Sequence, residues 1–385
     1  MRWIVLLLFP FLVLLANASP NPDPVDLLAV QSVAKQIQYS AKHAKNSTCT
    51  LKTVSIRKEW SALSLQERKA YIDAVLCLQA LPPKTPAELV PGARSRFDDF
   101  LALHINQTLS IHNTTNFLSW HRQYLWSYEK ALKEECGYKG SQPYWNWGKY
   151  ANDPINSPLF DGGEYSLGGN GADMSYPPVC IPNCENPNLI IPSGVGGGCV
   201  TTGPFKNYTV TLGPVAPSSW AVNASADPFA YNPRCLRRDI SVYTSSHSTT
   251  TQQTYDVITQ HDDLYGLQYD LEGNYTLFKQ GIWGVHTGGH LTVGGDPGGD
   301  LFASPGDPAF YLHHAMIDRV WWIWQNQKPE ARTYELSGTI TLADFPPSRN
   351  GTLDDILDMG FAGGEPIQIR DAMSTLGGDY CYIYA

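Results

Sequence analysis

Charged residues and long apolar runs are both scarce in this chain of 385 residues. Asp, Glu, Lys and Arg make up 16% of the sequence and no basic cluster stands out, so we expect no nucleic-acid partner. After the first 18 residues no apolar run is long enough to cross a bilayer, so we expect a mature chain that does not enter the membrane. No internal repeat is present, which argues against a repeat architecture.

Hydrophobic residues, in contrast, are abundant at 43%, and aromatic residues reach 12% with 11 Trp and 21 Tyr. This composition supports a sizeable core, and the length fits either one large α-rich core or two small domains. The formal net charge is −9, and removing the first 18 residues takes away only Arg2, which gives −10.

The first 18 residues have the features of a secretory signal peptide. Arg2 gives a basic start, Ile4–Leu15 is an apolar run, and Ala16-Asn17-Ala18 is a small-residue cleavage site. An uncleaved anchor is the alternative, but the run is too short to span a bilayer. We therefore expect a secreted, extracellular protein. Seven later sequons predict N-glycans at Asn46, Asn106, Asn113, Asn207, Asn223, Asn274 and Asn350.

Eight cysteines follow the leader, and an even count in an exported chain predicts disulfides. The alternative is a zinc site at Cys180-x3-Cys184, but no second pair with metal-type spacing follows. The sequence favours disulfides and leaves their pairing open.

Two helices are especially clear. Apolar residues recur at steps of three and four within 113–137, and His121 lies on this buried stripe. Asp307 is a good N-cap and Pro308 suits the first helical position, so a second helix is expected from there towards Pro329.

A further helix is predicted within 54–82, where Ser64 and Glu67 make a capping box. Residues 150–250 are rich in Gly, Pro, Asn and Ser and contain four cysteines, which predicts a long, irregular, disulfide-pinned excursion rather than a separate domain. Disorder is the alternative, against which Trp220 and the cysteines argue. The tail is expected to form short strands and loops.

Seven of the ten histidines fall into two clusters. These are His104, His112 and His121, and then His286, His290, His313 and His314. His286 and His290 are four residues apart, so on a helix both can reach one metal. His314, on another helix, can complete that triple. His104, His112 and His121 are eight and nine residues apart and cannot share one face of a helix. At least two segments must therefore supply these three residues if they form a second triple. A lone buried histidine is more often an ordinary core residue, but two triples together predict metal sites.

The ligand type narrows the choice of metal. Imidazole suits copper, zinc, iron and nickel, and no Cys or carboxylate recurs within either triple. One triple alone would also fit zinc. Two all-nitrogen triples in one chain favour a binuclear copper centre over a zinc hydrolase site.

Three short motifs surround these histidines. Residues 117–125 read FLSWHRQYL, residues 307–319 read DPAFYLHHAMIDR, and residues 143–147 read PYWNW. They resemble the two copper signatures and the intervening aromatic motif of the tyrosinase and catechol oxidase family of type-3 copper proteins, which includes molluscan haemocyanin modules. Asn146 stands where that family usually has Asp. The resemblance spans about Cys49 to Tyr384 and is closest to short secreted fungal members.

The resemblance implies a mainly α fold. A four-helix bundle would hold a dicopper centre, with long irregular disulfide-pinned loops and a few short strands. One copper would be held by His104, His112 and His121, and the other by His286, His290 and His314. Dioxygen would be the co-substrate, small phenols the substrates and o-quinones the products. Residues 19–385 would form a single catalytic domain without the C-terminal plug domain of longer relatives.

On the last long helix His314 shares a face with Phe310 and Asp318, whereas His313 points about 100° away and is expected to be structural. Phe310 is expected to pack on an imidazole, with an ordinary core position as the alternative. Asp318 would support the site through a hydrogen bond, or else form a helix-face salt bridge with a nearby Arg.

Several positions depart from the family pattern or bear on specificity. Ser110 stands where fungal relatives often have a cysteine that forms a thioether, so we expect no thioether. Thr287 replaces an Asn that, with a Glu, is thought to help deprotonate monophenols. Glu272 matches that Glu, with a solvated loop carboxylate as the alternative, and Leu301 matches a residue that gates access to copper. Glycines 288–289 would keep the entrance open or allow close helix packing.

The expected activity is therefore oxidation of o-diphenols, and hydroxylation of monophenols is left open because Thr287 stands in place of Asn. A true tyrosinase or an o-aminophenol oxidase is the alternative within the family. A reversible oxygen carrier is the alternative from another class, against which the single short module and the leader argue.

Overall fold

The computed structural model describes residues 23–43, 49–50, 52–180, 190–216, 225–273 and 275–385. The expected signal peptide, Cys184, Trp220 and three sequon asparagines (Asn46, Asn223 and Asn274) lie outside the described residues.

Helices dominate the described chain. They are α1 Pro24–His43, α2 Leu65–Ala80, α3 Arg96–Ile111, α4 Phe117–Cys136, α5 Val242–Ser248, α6 Thr251–Thr259, α7 Leu264–Glu272, α8 Tyr275–Phe278, α9 Val285–Val293, α10 Ala309–Gln327 and α11 Pro329–Arg332. Helices α3, α4, α9 and α10 pack together as a bundle, with α1 against α10 and α2 against α3 and α4. The predicted mainly α fold with a four-helix bundle is confirmed. Among the described helices none is both long and apolar enough to cross a membrane.

The helix ends follow local chemistry. Ser64 and Glu67 form the predicted capping box at the start of α2, and α4 ends at Gly137, whose φ of 70° is left-handed. The α4 helix begins at Phe117, later than the predicted 113, because Asn113 adopts a φ of 48° that no α-helix can include.

The start of α10 also lies two residues beyond the predicted N-cap. Asp307 stands just before the helix, where its Oδ1 accepts the Ala309 N–H at 2.8 Å and pairs with Arg238 at 2.7 Å. The carboxylate therefore still satisfies a free N–H at the helix start, as an N-cap does.

The strands of the described residues are short and pair into five two-stranded sheets. They are β1 Ser55–Arg57, β2 Gly171–Asp173, β3 Val179–Cys180, β4 Ile190–Ile191, β5 Gly197–Val200, β6 Thr209–Val210, β7 Arg234–Cys235, β8 Ile356–Leu357, β9 Ile367–Gln368 and β10 Tyr382–Tyr384. The pairs are β1–β10, β2–β5, β3–β4, β6–β7 and β8–β9, and β1–β10 is parallel.

Disulfides connect these irregular parts. The described bridges are Cys49–Cys381, Cys77–Cys136 and Cys199–Cys235, and Cys180 is disulfide-bonded as well. The disulfides that the sequence favoured are confirmed, and the rival zinc site at Cys180 is excluded. Between Tyr150 and Val242 the described chain has short strands but no α-helix, as predicted for a long irregular region held by disulfides.

Candidate metal centre

The first histidine triple is built by two bundle helices and the turn between them. His104 lies on α3, His112 follows α3 directly, and His121 lies on α4. The Nδ1 atom of each ring donates to a backbone carbonyl, that of Phe302 at 2.7 Å, Thr108 at 3.0 Å and Phe117 at 2.7 Å respectively. Because each Nδ1 carries the proton, each Nε2 keeps a free lone pair for a metal.

The second group comes from α9 and α10. The Nε2 atom of His290 lies 3.3 Å from that of His286 and 3.1 Å from that of His314. Two nitrogens bound at about 2.0–2.1 Å to one ion lie roughly 3.3 Å apart at the tetrahedral angle. The spacing of these three imidazoles therefore fits a single metal ion.

His313 is closer to the second group than its direction on the helix suggests. One ring nitrogen from each of His286, His290, His313 and His314 lies within 4.8 Å of the others. The ring of His313, however, lies 5.2 Å from that of Trp147 and packs over Gly289, whereas His314 faces the first triple. This position favours His314 as the candidate ligand, and the packing role of His313 stays a prediction, because both of its buried ring nitrogens lack a hydrogen-bond partner in the described chain.

The two groups touch each other. His121 stacks on His314 at 4.4 Å between centroids, and His112 stacks on His286 at 6.1 Å. Phe310 stacks on His314 at 4.1 Å and contacts His104 edge-on at 5.3 Å, so it bridges both groups. Two ions held here would be neighbours in one buried site.

Burial keeps the ligands neutral. It lowers the pKa of all six histidines, that of His112 to about 4, so the imidazoles are uncharged at neutral pH as metal binding requires. The buried Nε2 atoms of His104 and His121 have no hydrogen-bond partner. Buried polar atoms normally have partners, so these two nitrogens fit a metal that would bind them.

Glu272 lies at the end of α7, beside the first triple. Its Oε2 accepts the backbone N–H of Asn113 at 2.6 Å, and burial raises its pKa to about 8. The Thr287 hydroxyl donates to the backbone carbonyl of Glu272 at 2.6 Å, not to its carboxyl group. The alternative of a solvated loop carboxylate is therefore wrong, because Glu272 is only 6% exposed.

Leu301 is 44% exposed and precedes Phe302, whose carbonyl holds His104. Leu301 therefore lies near the first triple. Its role in controlling access to the copper site remains a prediction. Ser110 donates to the Gln107 carbonyl at 2.9 Å on the exposed side of α3. A serine offers no sulfur for a thioether.

Glycines 288–289 serve close packing. A Cβ atom at Gly288 would overlap Ser248 of α5, and one at Gly289 would overlap the imidazole of His313. Of the two alternatives for these glycines, close helix packing is the one that the contacts support.

Within the described residues, no hydrogen bond joins Asp318 to a histidine. Its carboxylate pairs with Arg122 at 2.6 Å and Arg57 at 3.2 Å and accepts the hydroxyls of Tyr382 and Tyr384. Of the two alternatives for Asp318, the structure shows a salt bridge, but its arginines lie on β1 and α4 and not on the face of the same helix.

Sequence reasoning missed the groups that orient the rings. The carbonyls of Thr108 and Phe117 lie four residues before His112 and His121, a spacing from which these two contacts could have been predicted. Phe302 lies 198 residues from His104, and nothing in the sequence indicates that contact.

Comparison with known proteins agrees with this arrangement. The family description "common central domain of tyrosinase" matches residues 94–327, which include all seven clustered histidines. "Tyrosinase P" of Aspergillus terreus is 40% identical over 86% of this chain and 91% of its own length. An N-acetyl-6-hydroxytryptophan oxidase of Emericella nidulans is 39% identical over 87% of this chain and 93% of its own length.

A solved structure extends the likeness to the whole fold. A variant polyphenol oxidase of Thermothelomyces thermophila is 42% identical, with a TM-score of 0.87 over 95% of this chain and 98% of that one. Tyrosinase-family proteins use a dicopper centre, and the two histidine groups fit one. The chain belongs to the tyrosinase family of copper-dependent polyphenol oxidases.

Proposed function

We propose that this protein oxidises o-diphenols to o-quinones with dioxygen at a pair of copper ions. The observation that carries the proposal is the contact between two buried histidine triples through the stacked rings of His121 and His314. Two adjacent coppers supply the electron transfer between substrate and dioxygen when bound. In the overall reaction two catechols each lose two electrons and two protons, and one dioxygen becomes two waters.

The six candidate ligands would be His104, His112, His121, His286, His290 and His314. The protein holds the first three through backbone carbonyls, so their Nε2 atoms stay aimed at one point. Rigid, pre-aimed ligands reduce the reorganisation that accompanies a redox step. Phe310 and Phe117 contact these rings and keep the immediate surroundings apolar.

Preference for diphenols over monophenols is proposed from Glu272 and Thr287. Burial raises the pKa of the Glu272 carboxyl group to about 8 in the metal-free protein and so disfavours the carboxylate, the form that could accept the proton of a monophenol. Thr287 offers its hydroxyl to a backbone carbonyl and therefore does not stabilise the carboxylate form. An o-diphenol is more readily deprotonated than a monophenol and depends less on such a base.

A second candidate is direct oxidation of a substituted monophenol. The relative named as an N-acetyl-6-hydroxytryptophan oxidase is 39% identical to this chain, and its named substrate is a hydroxyindole with one phenolic hydroxyl. An o-aminophenol is a further substrate class that the same centre could oxidise.

We also propose that residues 1–18 direct export and that residues 19–385 act as one secreted domain. The disulfides of the described chain support this proposal because such bonds persist in oxidising compartments. N-glycans are proposed at the exposed sequon residues Asn106, Asn113, Asn207 and Asn350.

Oxygen uptake by the copper-loaded protein tests the proposed activity, with a simple catechol and the matching monophenol compared at pH 6.5. Uptake with catechol alone supports a catechol oxidase. Immediate uptake with both identifies a tyrosinase and contradicts the proposed role of Thr287. Reversible oxygen binding without turnover would make the protein a carrier.

A further inference from the structure

A cleft beside Glu272 has a glycosylation sequon on its rim. The cleft has a volume of about 360 Å³, and its lining includes Asn113, Gln268, Ser337 and Asp344. Asn113 is exposed and belongs to the sequon Asn113-Thr114-Thr115. The other sequon asparagines in the described chain, Asn106, Asn207 and Asn350, are exposed but do not line this cleft.

The backbone of Asn113 is fixed in place. Its N–H donates to Glu272 at 2.6 Å, and its carbonyl accepts the N–H of Ala343 at 3.2 Å. The residue has a φ of 48°, a conformation that Asn tolerates better than most side chains. A sugar attached to this side chain would therefore begin at a defined point on the rim.

The lining of the cleft also includes two aromatic side chains. Tyr265 and Tyr269 lie one turn apart on α7, are 63% and 42% exposed, and stack with centroids 5.7 Å apart and planes 9° apart. Exposed aromatic pairs of this kind pack well against the C–H face of a sugar ring, while their hydroxyls remain free for polar contacts. Ser337 and Asp344 can bond the sugar hydroxyls.

We propose that an N-glycan on Asn113 folds back into this cleft, with its first N-acetylglucosamine packed on Tyr265 and Tyr269, and so covers the edge of Glu272. The inference rests on the proposed export of the chain, because N-glycans are added in the secretory pathway. It assigns the cleft to the protein's own sugar and not to a phenolic substrate.

The rate at which peptide-N-glycosidase removes each glycan tests this arrangement. The full-length protein from a yeast secretory host is treated in its native state, and each site is followed by peptide mass spectrometry. We expect release from Asn113 to be about ten-fold slower than from Asn207, and equally fast after denaturation. The Tyr265→Ala/Tyr269→Ala variant should remove most of the protection, whereas Tyr265→Phe/Tyr269→Phe should keep it. Near-UV circular dichroism checks that both variants are folded.

The outcomes separate this inference from the proposal of export. If no sequon is occupied, export itself is contradicted. If Asn207 is glycosylated and Asn113 is bare, or if both glycans are released equally fast, the inference alone is overturned. Protection that survives in the folded Ala variant would overturn the role of the tyrosines. Backbone hydrogen exchange over residues 264–272 should be faster in Asn113→Gly, which lacks the glycan, than in the glycosylated wild type. That result would support the packing of the glycan on α7.

Discussion

The imidazole of His121 lies parallel to that of His314, with centroids 4.4 Å apart and planes 13° apart. His121 belongs to α4 and His314 to α10, so the two candidate copper sites share a buried boundary between facing helices. The effects of substituting His121 and His314 on the stability of the fold should therefore not be additive, because contacting residues rarely behave independently.

The contact between Gly289 and His313 should control stability. A Cβ atom at residue 289 overlaps the imidazole of His313, which packs against Trp147. We predict that Gly289→Ala lowers the free energy of unfolding by about 2 kcal/mol, since overpacking exceeds the gain in helix propensity. In the His313→Ala background the same change should be neutral or stabilising. Urea unfolding of the four proteins measures this coupling, and an equal loss in both backgrounds would disprove it.

The buried carboxyl group of Glu272 should make stability depend on pH. Its pKa is raised from 4.5 to about 8, so between these values the folded state binds a proton that the unfolded state lacks. This contribution to stability is present below pH 4.5 and is lost as the pH rises to about 8, by at most about 5 kcal/mol. Glu272→Gln should lack this loss and gain stability relative to wild type between pH 5 and pH 8. Glu88→Gln, at an exposed carboxyl, is the control and should track the wild type.

Thr287→Asn should increase activity on monophenols. The amide can donate to the Glu272 carboxyl group, and a hydrogen bond to a charged group is worth about 1.5–3 kcal/mol, which lowers the pKa by roughly one to two units. We expect the ratio of monophenol to catechol turnover at pH 6.5 to rise about ten-fold. Thr287→Val removes the hydroxyl without adding an amide and should leave the ratio low. An unchanged ratio in the Asn variant argues against Glu272 as the limiting base.

Asp318 should matter for stability and little for copper binding. Asp318→Asn leaves the buried Arg122 without its charge partner, which costs about 3–5 kcal/mol, whereas Arg57 keeps its ion pair with Glu129. Asp73→Asn, which breaks an exposed pair with Lys69, should cost under about 1 kcal/mol. Denaturant titration measures both, and the folded Asp318→Asn protein should keep its copper content. Loss of copper at full stability would instead link Asp318 to the metal site.

Local patterns in the sequence were sufficient to predict the main helices and to identify histidine as the metal-binding residue. The periodic stripe around His121, the capping box at Ser64 and the terminal Gly137 depend on contacts within a few residues. The four-residue step between His286 and His290 likewise places both rings on one face of α9.

Contacts between segments that are distant in the sequence could not be predicted in the same way. The partners of Asp318 come from β1, α4 and β10, and the carbonyl that orients His104 comes from Phe302. The helical period also predicted that the side chain of His313 points away from that of His314. In the structure α9 approaches closely at Gly289, so the ring nitrogens of His313 lie near the other candidate ligands. Such relations depend on how helices pack, which a single sequence does not specify.

The number of copper ions bound per chain tests the dicopper assignment most directly. Elemental analysis of purified, copper-loaded protein should give two coppers for the wild type and for His313→Ala. His104→Ala and His314→Ala should each retain about one copper and lose catechol oxidation, because each removes one ligand from a different triple. The assignment would be contradicted by one copper or by zinc in the wild type, or by loss of copper in His313→Ala while His314→Ala keeps two.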